Sequence, residues 1–286
     1  MIKLIASDMD GTLLNDDHKI SKNNLEAIKK AQEMGIDFTI VTGREYGAVK
    51  SYLEENDLRC ECILNNGAEY RDVDGNIIES IYINKNTVKI ILDKITEKNL
   101  FIQLITTKGV YVTNKESDKK AIIDRYKVFN PNMSDDEVYN FVIEFNKMRN
   151  IKFIDNAYDI LDMDTNVLKI ITFDNDIELI AKLKENIKKS TNDAAVVSTF
   201  SNDIEISHIE AQKGLILAKV IEKKGLDKSE VIVLGDSFND YSMFTEFENS
   251  FAMENAIPEV KKIAKHITDS NNNDGVAKAI YKALKM

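Results

Sequence analysis

The sequence has only two cysteines and three histidines among its 286 residues. The cysteines, Cys60 and Cys62, are separated by one residue, so a disulfide framework is excluded. Two such ligands also do not make a zinc site, which uses three or four protein ligands. We therefore expect two buried thiols in a reduced protein.

Long apolar segments are missing as well. No stretch approaches the roughly 20 apolar residues that cross a bilayer, and the N-terminus shows no secretory signal pattern. These absences, together with the thiols, predict a cytoplasmic protein without a membrane partner.

Positive charge is in deficit, with 38 lysines and arginines against 48 aspartates and glutamates and a formal net charge of -10. This balance argues against a nucleic-acid partner. It also repels phosphorylated ligands at long range, so a metal or local cations must compensate at a site that binds them. The rest of the composition, 43% hydrophobic and 30% charged, is typical of a globular protein of one large or two ordinary domains.

The stretch from Ile2 to Leu14, IKLIASDMDGTLL, joins an apolar run to two carboxylates. The run predicts a buried parallel strand, and Asp8 and Asp10, two residues apart in an extended segment, point the same way. Two such charges near a core are costly unless a cation lies between them, and oxygen ligands suit Mg²⁺. Gly11 then allows a sharp turn.

Two other segments contain a similar acidic pattern and serve as internal controls. Asp72-Val73-Asp74-Gly75 precedes a short strand from Ile77 to Ile83, which predicts a hairpin turn. Asp162 to Asn166 resembles the start of a calcium loop but lacks its glycine and final glutamate. Only the copy at Asp8 follows an uninterrupted apolar strand.

The next segment predicts a helix and a second strand. Ser21 is a good N-cap for a helix that runs to Met34 and ends at Gly35, and the strand from Asp37 to Val41 follows. A β-α-β unit of this kind makes its two strands parallel neighbours with a right-handed crossover.

The second strand therefore brings Thr42 and Gly43 to the same sheet edge as Asp8. A helix predicted from Tyr46 to Glu55 begins just after them, and a helix N-terminus favours an anion. For Arg44 two roles stay open, a contact to phosphate or a surface salt bridge.

A third strand, predicted from Glu61 to Leu64, leads into Asn65-Asn66-Gly67-Ala68. For Asn66 two roles also stay open, a place facing a substrate or a part in a turn.

Two further polar segments follow in the C-terminal part of the chain. Lys213-Gly214 opens a helix, and the short apolar strand from Val231 to Leu234 leads into Gly235-Asp-Ser-Phe-Asn-Asp240. An open parallel sheet collects such strand ends at one edge, at its topological switch point.

Between these regions the pattern changes to short alternating strands and helices. The helices include Lys115 to Tyr126 and Asp135 to Phe145. The insertion between these regions, residues 84–207, is long enough to form a domain of its own. We predict two domains, 1–83 with 208–286, and 84–207.

Four segments in this order, D-x-D-G-T-L-L, V-T-G-R, K-G and G-D-x-x-N-D, resemble the four motifs of the haloacid dehalogenase-like hydrolases. The N-G-A segment, the A-M-x-N-A segment near Phe251 and the large insertion resemble its Cof-type branch. The resemblance implies an α/β fold, a doubly wound parallel sheet in a Rossmann-like core, with an inserted α+β cap domain that closes over the site.

The resemblance also implies roles for the acidic residues. Asp8 would attack phosphorus and form an aspartyl-phosphate, and Asp10 would act as general acid and base. Mg²⁺ would be held by Asp8, Asp236 and the backbone carbonyl of Asp10, while Asp240 would support the lysine or the ligands.

The remaining motif residues would bind the phosphoryl group or substrate. This set comprises Thr42, Gly43, Lys213 and Asn239. The oxygens of the phosphoryl group would be held by the hydroxyl of Thr42, the ammonium of Lys213 and the side-chain amide of Asn239.

The expected function is Mg²⁺-dependent hydrolysis of small phosphate monoesters, with sugar phosphates as the first expectation. A phosphomutase and a flavin mononucleotide or nucleotide phosphatase are alternatives, and a non-catalytic regulatory protein is an alternative of a different class. Dehalogenases lack the second aspartate, which argues against haloacid chemistry. The expected partner is a small phosphorylated metabolite, and the protein would be a monomer or weak homodimer.

Overall fold

The computed structural model describes residues 1–113, 123, 127, 133–140, 151–198 and 202–285. The chain divides into two compact units, Met1–Ile81 with Glu210–Met286, and Tyr82–Ile209. The helix predicted from Lys115 to Tyr126 lies outside the described residues except at one position. Of the helix predicted from Asp135 to Phe145, residues 135–140 are described and are helical.

The described strands alternate with helices in the first unit and mostly follow one another in the second. They are β1 (Leu4–Ser7), β2 (Asp37–Val41), β3 (Glu61–Leu64), β4 (Glu69–Arg71), β5 (Ile77–Ser80), β6 (Gln103–Thr106), β7 (Gly109–Thr113), β8 (Lys152–Ile154), β9 (Val167–Phe173), β10 (Ala194–Val197), β11 (Asp203–His208), β12 (Val231–Gly235), β13 (Ser250–Ala252) and β14 (His266–Ile267).

The α-helices with both ends among the described residues are α1 (Lys22–Glu33), α2 (Tyr46–Glu55), α3 (Lys85–Thr96), α4 (Ile177–Ser190), α5 (Lys213–Lys223), α6 (Tyr241–Glu246), α7 (Pro258–Ile263) and α8 (Gly275–Leu284). Ser21 caps α1 by accepting a hydrogen bond from the amide of Asn24, as the sequence predicted.

The first unit contains an eight-stranded sheet in the order β14-β13-β12-β1-β2-β3-β4-β5. The strands from β14 to β3 are parallel, and β4 and β5 complete the edge as an antiparallel hairpin. The hairpin turn is the one predicted at Asp72, whose carboxylate accepts hydrogen bonds from the amides of Asp74 and Asn76. That prediction is confirmed.

Both faces of this sheet are covered by helices, which is why β1 is apolar at successive positions. Ile5 packs on one side with residues of α1 and α8. Leu4 and Ala6 pack on the other side with residues of α5. This arrangement confirms the predicted doubly wound α/β fold.

The order in which strands are added to the sheet reverses at β1, while the strands on both sides of β1 stay parallel to it. β2 and β3 extend it on one side of β1, whereas β12, β13 and β14 extend it on the other. The carboxyl ends of β1 and β12 therefore border the crevice where open parallel sheets bind ligands. Asp8 follows β1 and Asp236 follows β12 in the sequence.

The second unit is an insertion with its own six-stranded sheet in the order β10-β11-β9-β6-β7-β8. It is antiparallel except for the pair β7 and β8. Helices α3 and α4 supply apolar side chains to one cluster with this sheet, including Ile91 and Leu183. This α+β unit confirms the fold predicted for the insertion. No helix in the described part of the chain is both long and apolar enough to cross a membrane.

Candidate active site

A buried lysine lies at the centre of the polar residues that the sequence singled out. Lys213, the first residue of α5, is 0% exposed, and its Nζ donates to Asp8 Oδ1 and Asp240 Oδ1 at 2.6 Å each. Burial alone would lower the pKa of Lys213, but the charges of Asp240 and Asp8 raise it. The side chain is therefore a fixed ammonium between two carboxylates.

Three carboxylates surround this position. Asp8, Asp236 and Asp240 each offer an oxygen, and these oxygens lie within 4.8 Å of one another. Burial and the charge of Asp240 raise the pKa of Asp8 well above its ordinary value and that of Asp236 to about 7. Like charges so close to one another in a poorly solvated place disfavour ionisation.

The three carboxylates differ in how many hydrogen bonds their oxygens accept from protein donors. Asp240 Oδ2 accepts from the amides of Asp236 and Ser237 at 2.9 and 3.1 Å, and its other oxygen accepts from Lys213. Asp236 Oδ1 accepts from the hydroxyl of Thr12 at 3.0 Å. Asp240 is thus held by protein donors at both oxygens.

This donor set fits a divalent cation. When all three carboxylates are ionised, the single ammonium leaves two negative charges uncompensated, and a bound cation would offset them. Carboxylate oxygens are the ligands of hard cations such as Mg²⁺. The sharp turn at Gly11, with φ of 73°, brings the backbone to Asp236, because a Cβ there would lie 2.6 Å from Asp236 Oδ2.

Asp10 does not join the carboxylate cluster through its side chain. Its carboxylate is bound by Arg44, with Nε–Oδ2 at 2.8 Å and Nη2–Oδ1 at 2.5 Å, and about half of its side chain, 51%, is exposed. Burial would raise the pKa of Asp10, but the hydrogen bonds and charge of Arg44 lower it overall. Of the two roles left open for Arg44, this structure shows the salt bridge.

Thr42 and Gly43 lie at the carboxyl end of β2. Thr42 is buried, its amide donates to Ile63 O at 2.8 Å, and its hydroxyl accepts from the amide of Arg44 at 3.2 Å. Gly43 lies close to Asn66 and Asn239, because a Cβ there would be 2.8 Å from Asn66 Oδ1 and 3.7 Å from Asn239 Nδ2.

Three contacts in this region were not predicted. Thr12 donates to Asp236, Asn255 Nδ2 donates to Gly11 O at 2.8 Å, and Ser242 accepts from the amide of Gly214 at 2.9 Å. Each joins segments far apart in sequence. The only available signal was membership of Thr12 and Asn255 in the motif segments.

Comparison with known proteins identifies the family of this chain. A family model described as haloacid dehalogenase-like hydrolase matches residues 5–280. Among similar proteins of Bacillus subtilis strain 168 is YwtE, named 5-amino-6-(5-phospho-D-ribitylamino)uracil phosphatase, which is 33% identical over 284 residues, 99% of this chain and 98% of that protein. YcsE, which carries the same enzyme name, is 31% identical over 98% of this chain and 94% of that protein.

A solved structure, that of a haloacid dehalogenase-like hydrolase from B. subtilis, superposes with a TM-score of 0.85 at 27% identity, covering 98% of this chain and 99% of that one. The family model, the curated relatives and this fold agree with the resemblance seen in the sequence. The chain therefore belongs to the haloacid dehalogenase-like hydrolase family, in its Cof-type branch, and is an enzyme of the phosphatase class.

Proposed function

We propose that this protein is a Mg²⁺-dependent phosphatase that hydrolyses small phosphate monoesters through an aspartyl-phosphate on Asp8. The observation that carries the proposal is the buried ammonium of Lys213, bonded to Asp8 within a cluster of three carboxylates whose ionised form a cation would stabilise. A carboxylate held in this way is oriented by its lysine and ready to approach an electrophile.

We assign the cation to Asp8, Asp236 and the backbone carbonyl of Asp10. The other member of the cluster, Asp240, is bonded to protein donors at both oxygens, which supports its role as a residue that orients Lys213. When bound, the cation supplies charge neutralisation that lets a phosphoryl oxygen approach the carboxylates.

In the first step an oxygen of Asp8 forms a bond to phosphorus as the bond from phosphorus to the leaving oxygen breaks. Asp10 gives its proton to that oxygen, so that an alcohol departs. In the second step Asp10 takes a proton from water, the water oxygen bonds to phosphorus, and the bond from phosphorus to Asp8 breaks. Inorganic phosphate leaves and Asp8 returns as a carboxylate.

The salt bridge to Arg44 bears on the role of Asp10. A carboxylate bound by a guanidinium holds no proton. Burial raises the pKa of Asp10, but the hydrogen bonds and charge of Arg44 lower it by more. Asp10 must therefore separate from Arg44 and take up a proton from solvent before it can donate that proton to the leaving oxygen.

The phosphoryl oxygens are assigned to the donors that border the cluster. These are the hydroxyl of Thr42, the amide of Gly43, the ammonium of Lys213 and the side-chain amide of Asn239. Fixed donors of this kind stabilise the charge that spreads over the equatorial oxygens in phosphoryl transfer.

For the substrate we propose a phosphate ester of a sugar or sugar alcohol. Two relatives above 30% identity, YwtE and YcsE, are named 5-amino-6-(5-phospho-D-ribitylamino)uracil phosphatase, and that compound is a phosphorylated sugar-alcohol derivative. It is therefore the first candidate to test. The cytoplasmic location and the monomeric or weakly dimeric state stay predictions.

The test is a screen of phosphate release from this compound, sugar phosphates, nucleotides and flavin mononucleotide, with Mg²⁺ or with EDTA. We expect release from sugar or sugar-alcohol phosphates with Mg²⁺ and none with EDTA. Conversion of a sugar phosphate into its isomer, with a requirement for a bisphosphate and without release of inorganic phosphate, would identify a mutase. Absence of both reactions in the folded protein would support a regulatory role.

A further inference from the structure

The chain reverses direction between β3 and β4 through a buried turn that consists of Asn65, Asn66 and Gly67, here called the asparagine turn. All three residues have positive φ, at 53°, 59° and 103°. Asn65 and Asn66 are only 1% and 5% exposed. Two successive non-glycine residues in this conformation are uncommon even for asparagine, and such strain is retained where the surroundings impose it.

The backbone of the asparagine turn lies against two of the motif segments. The amide of Asn65 donates to Arg44 O and that of Asn66 donates to Thr42 O, both at 3.0 Å. At Gly67 a Cβ would lie 2.9 Å from the backbone carbon of Gln212, the residue before Lys213. The turn therefore contacts the backbone that presents Thr42 and the backbone that precedes Lys213.

The side chain of Asn66 contacts a third motif segment. Its Oδ1 accepts from Nδ2 of Asn239 at 3.2 Å, and Asn239 Oδ1 accepts from the hydroxyl of Ser237 at 2.7 Å. Asn66 Oδ1 lies where a side chain at Gly43 would have to be, so the contact requires glycine at that position. With both ends of its amide bonded, Asn239 has its second Nδ2 proton fixed in direction.

We propose that Asn66 is a positioning residue for phosphoryl transfer, which fixes the amide of Asn239 so that its second proton meets a phosphoryl oxygen. The inference rests on the proposed function, in which Asn239 binds that oxygen. It resolves the two roles left open for Asn66, since the residue forms the turn with its backbone and acts on Asn239 with its side chain.

The test uses Asn66→Gly, because glycine accepts the positive φ and removes only the side chain. We expect kcat to fall by about tenfold, the effect of losing one hydrogen bond that orients a reacting group, with KM changed less than about threefold and the unfolding temperature nearly unchanged. In the Asn239→Ala background the same change should lower kcat by less than about twofold, since Asn66 then has no amide to position.

Asn65→Gly is the matched control, because it makes the same replacement at the preceding position of the same turn. It should leave kcat within about twofold of the wild type. Asn66→Asp is a second variant for the case that Asn66→Gly does not fold. It keeps an acceptor oxygen toward Asn239, so kcat should be retained while the added negative charge raises KM for the phosphate ester.

An active wild type whose kcat is unchanged by Asn66→Gly would overturn this inference alone. The inference would also be overturned by an equal loss in the Asn239→Ala background, or by an equal loss from Asn65→Gly, because both would indicate a role in the turn only. A wild type without phosphate release would overturn the proposed function, and this inference with it.

Discussion

Asp8 is the residue on which the proposed covalent mechanism depends. Asp8→Asn preserves the shape of the side chain but replaces the nucleophilic oxygen by an amide. We expect kcat to fall by at least about 10⁴-fold, as when other catalytic nucleophiles are removed. The metal-free protein should unfold at no lower temperature, because one of three crowded carboxylates is gone. Phosphate release and circular dichroism would measure the two effects.

The chain offers a matched control in its second D-x-D-G copy. Asp72→Asn makes the same change at the hairpin turn between β4 and β5, where the carboxylate only accepts hydrogen bonds from nearby amides. Activity should stay within about twofold of the wild type. Turnover by Asp8→Asn close to that of Asp72→Asn would contradict the assignment of the nucleophile.

We expect Lys213 to contribute to stability as well as to the proposed chemistry. Lys213→Met removes the cation from a buried group of carboxylates, and breaking a buried ion pair by deleting one partner costs about 3–5 kcal/mol. We expect a loss of this size in the free energy of unfolding at neutral pH, measured by denaturant titration without added metal, together with loss of phosphate release.

Lys219→Met on the same helix, α5, is the control for the change of side chain. Lys219 is 45% exposed and pairs with Glu210 at 3.6 Å. Such surface pairs contribute about 0–1 kcal/mol. A cost of Lys213→Met no larger than that of Lys219→Met would contradict the buried network.

The sequence could place the motif residues at strand ends but could not choose their partners. An apolar strand followed by a polar residue indicates the carboxyl end of a buried parallel strand. On that basis the sequence predicted that Asp8 and Asp236 lie close together. The bond between Thr12 and Asp236 spans 224 positions, and the partner of Arg44 depends on the side-chain arrangement at the loop. Hydrophobic period carries no information of that kind.

Helices α5 and α6 pack closely against each other at Gly214. A Cβ on this residue would lie 2.1 Å from the carbonyl oxygen of Ser242, which is backbone and cannot move aside cheaply. Gly214→Ala should therefore push the start of α5, with Lys213, away from α6. We expect a loss of about 1–3 kcal/mol in unfolding free energy and a lower kcat.

Gly47→Ala is the matched control, because Gly47 is also the second residue of its helix, α2. The nearest atom to its Cβ would be a carboxylate oxygen of Glu45 at 3.0 Å, at the end of a flexible side chain. Alanine is favoured over glycine within helices by about 1 kcal/mol, so this variant should be neutral or more stable. Equal destabilisation of the two variants would contradict close packing at Gly214.

Element length decided how well the secondary structure could be predicted. The helix at Tyr46–Glu55 has the predicted bounds, since ten residues show a helical period and are followed by polar residues. β13 and β14 have three and two residues, too few to show a period, and were not predicted. β8 is also only three residues long, and it is a strand because it pairs with β7.

For the molecule as a whole, the order of the motif segments and the long insertion between them were enough to predict the fold. The distribution of charge was not. A net charge of -10 over 286 residues does not reveal that three carboxylates and one lysine share a buried cluster. We expect the crowding of these carboxylates to make the stability of the whole protein depend on pH and on metal.

The direction of this dependence follows from Asp236. Burial and Asp240 raise its pKa to about 7 from the ordinary 3.8. Between these values the folded state binds more protons than the unfolded state, so this group makes the metal-free protein less stable as pH rises from about 4 to 7, with no further loss above. Because Asp236→Asn removes the titrating group, its stability relative to the wild type should increase from pH 5 to pH 8 in EDTA.

Mg²⁺ should counteract the loss of wild-type stability with rising pH. A cation that binds the ionised carboxylates stabilises the folded wild type more at pH 8 than at pH 5. Asp236→Asn lacks one proposed ligand and should gain less. Thermal unfolding of both proteins at pH 5 and pH 8, each with EDTA or with Mg²⁺, needs no substrate. It gives the difference in stability between variant and wild type under each of the four conditions. An equal gain from Mg²⁺ in both proteins would place the cation elsewhere, and a pH-independent difference in EDTA would contradict the crowding of the three carboxylates.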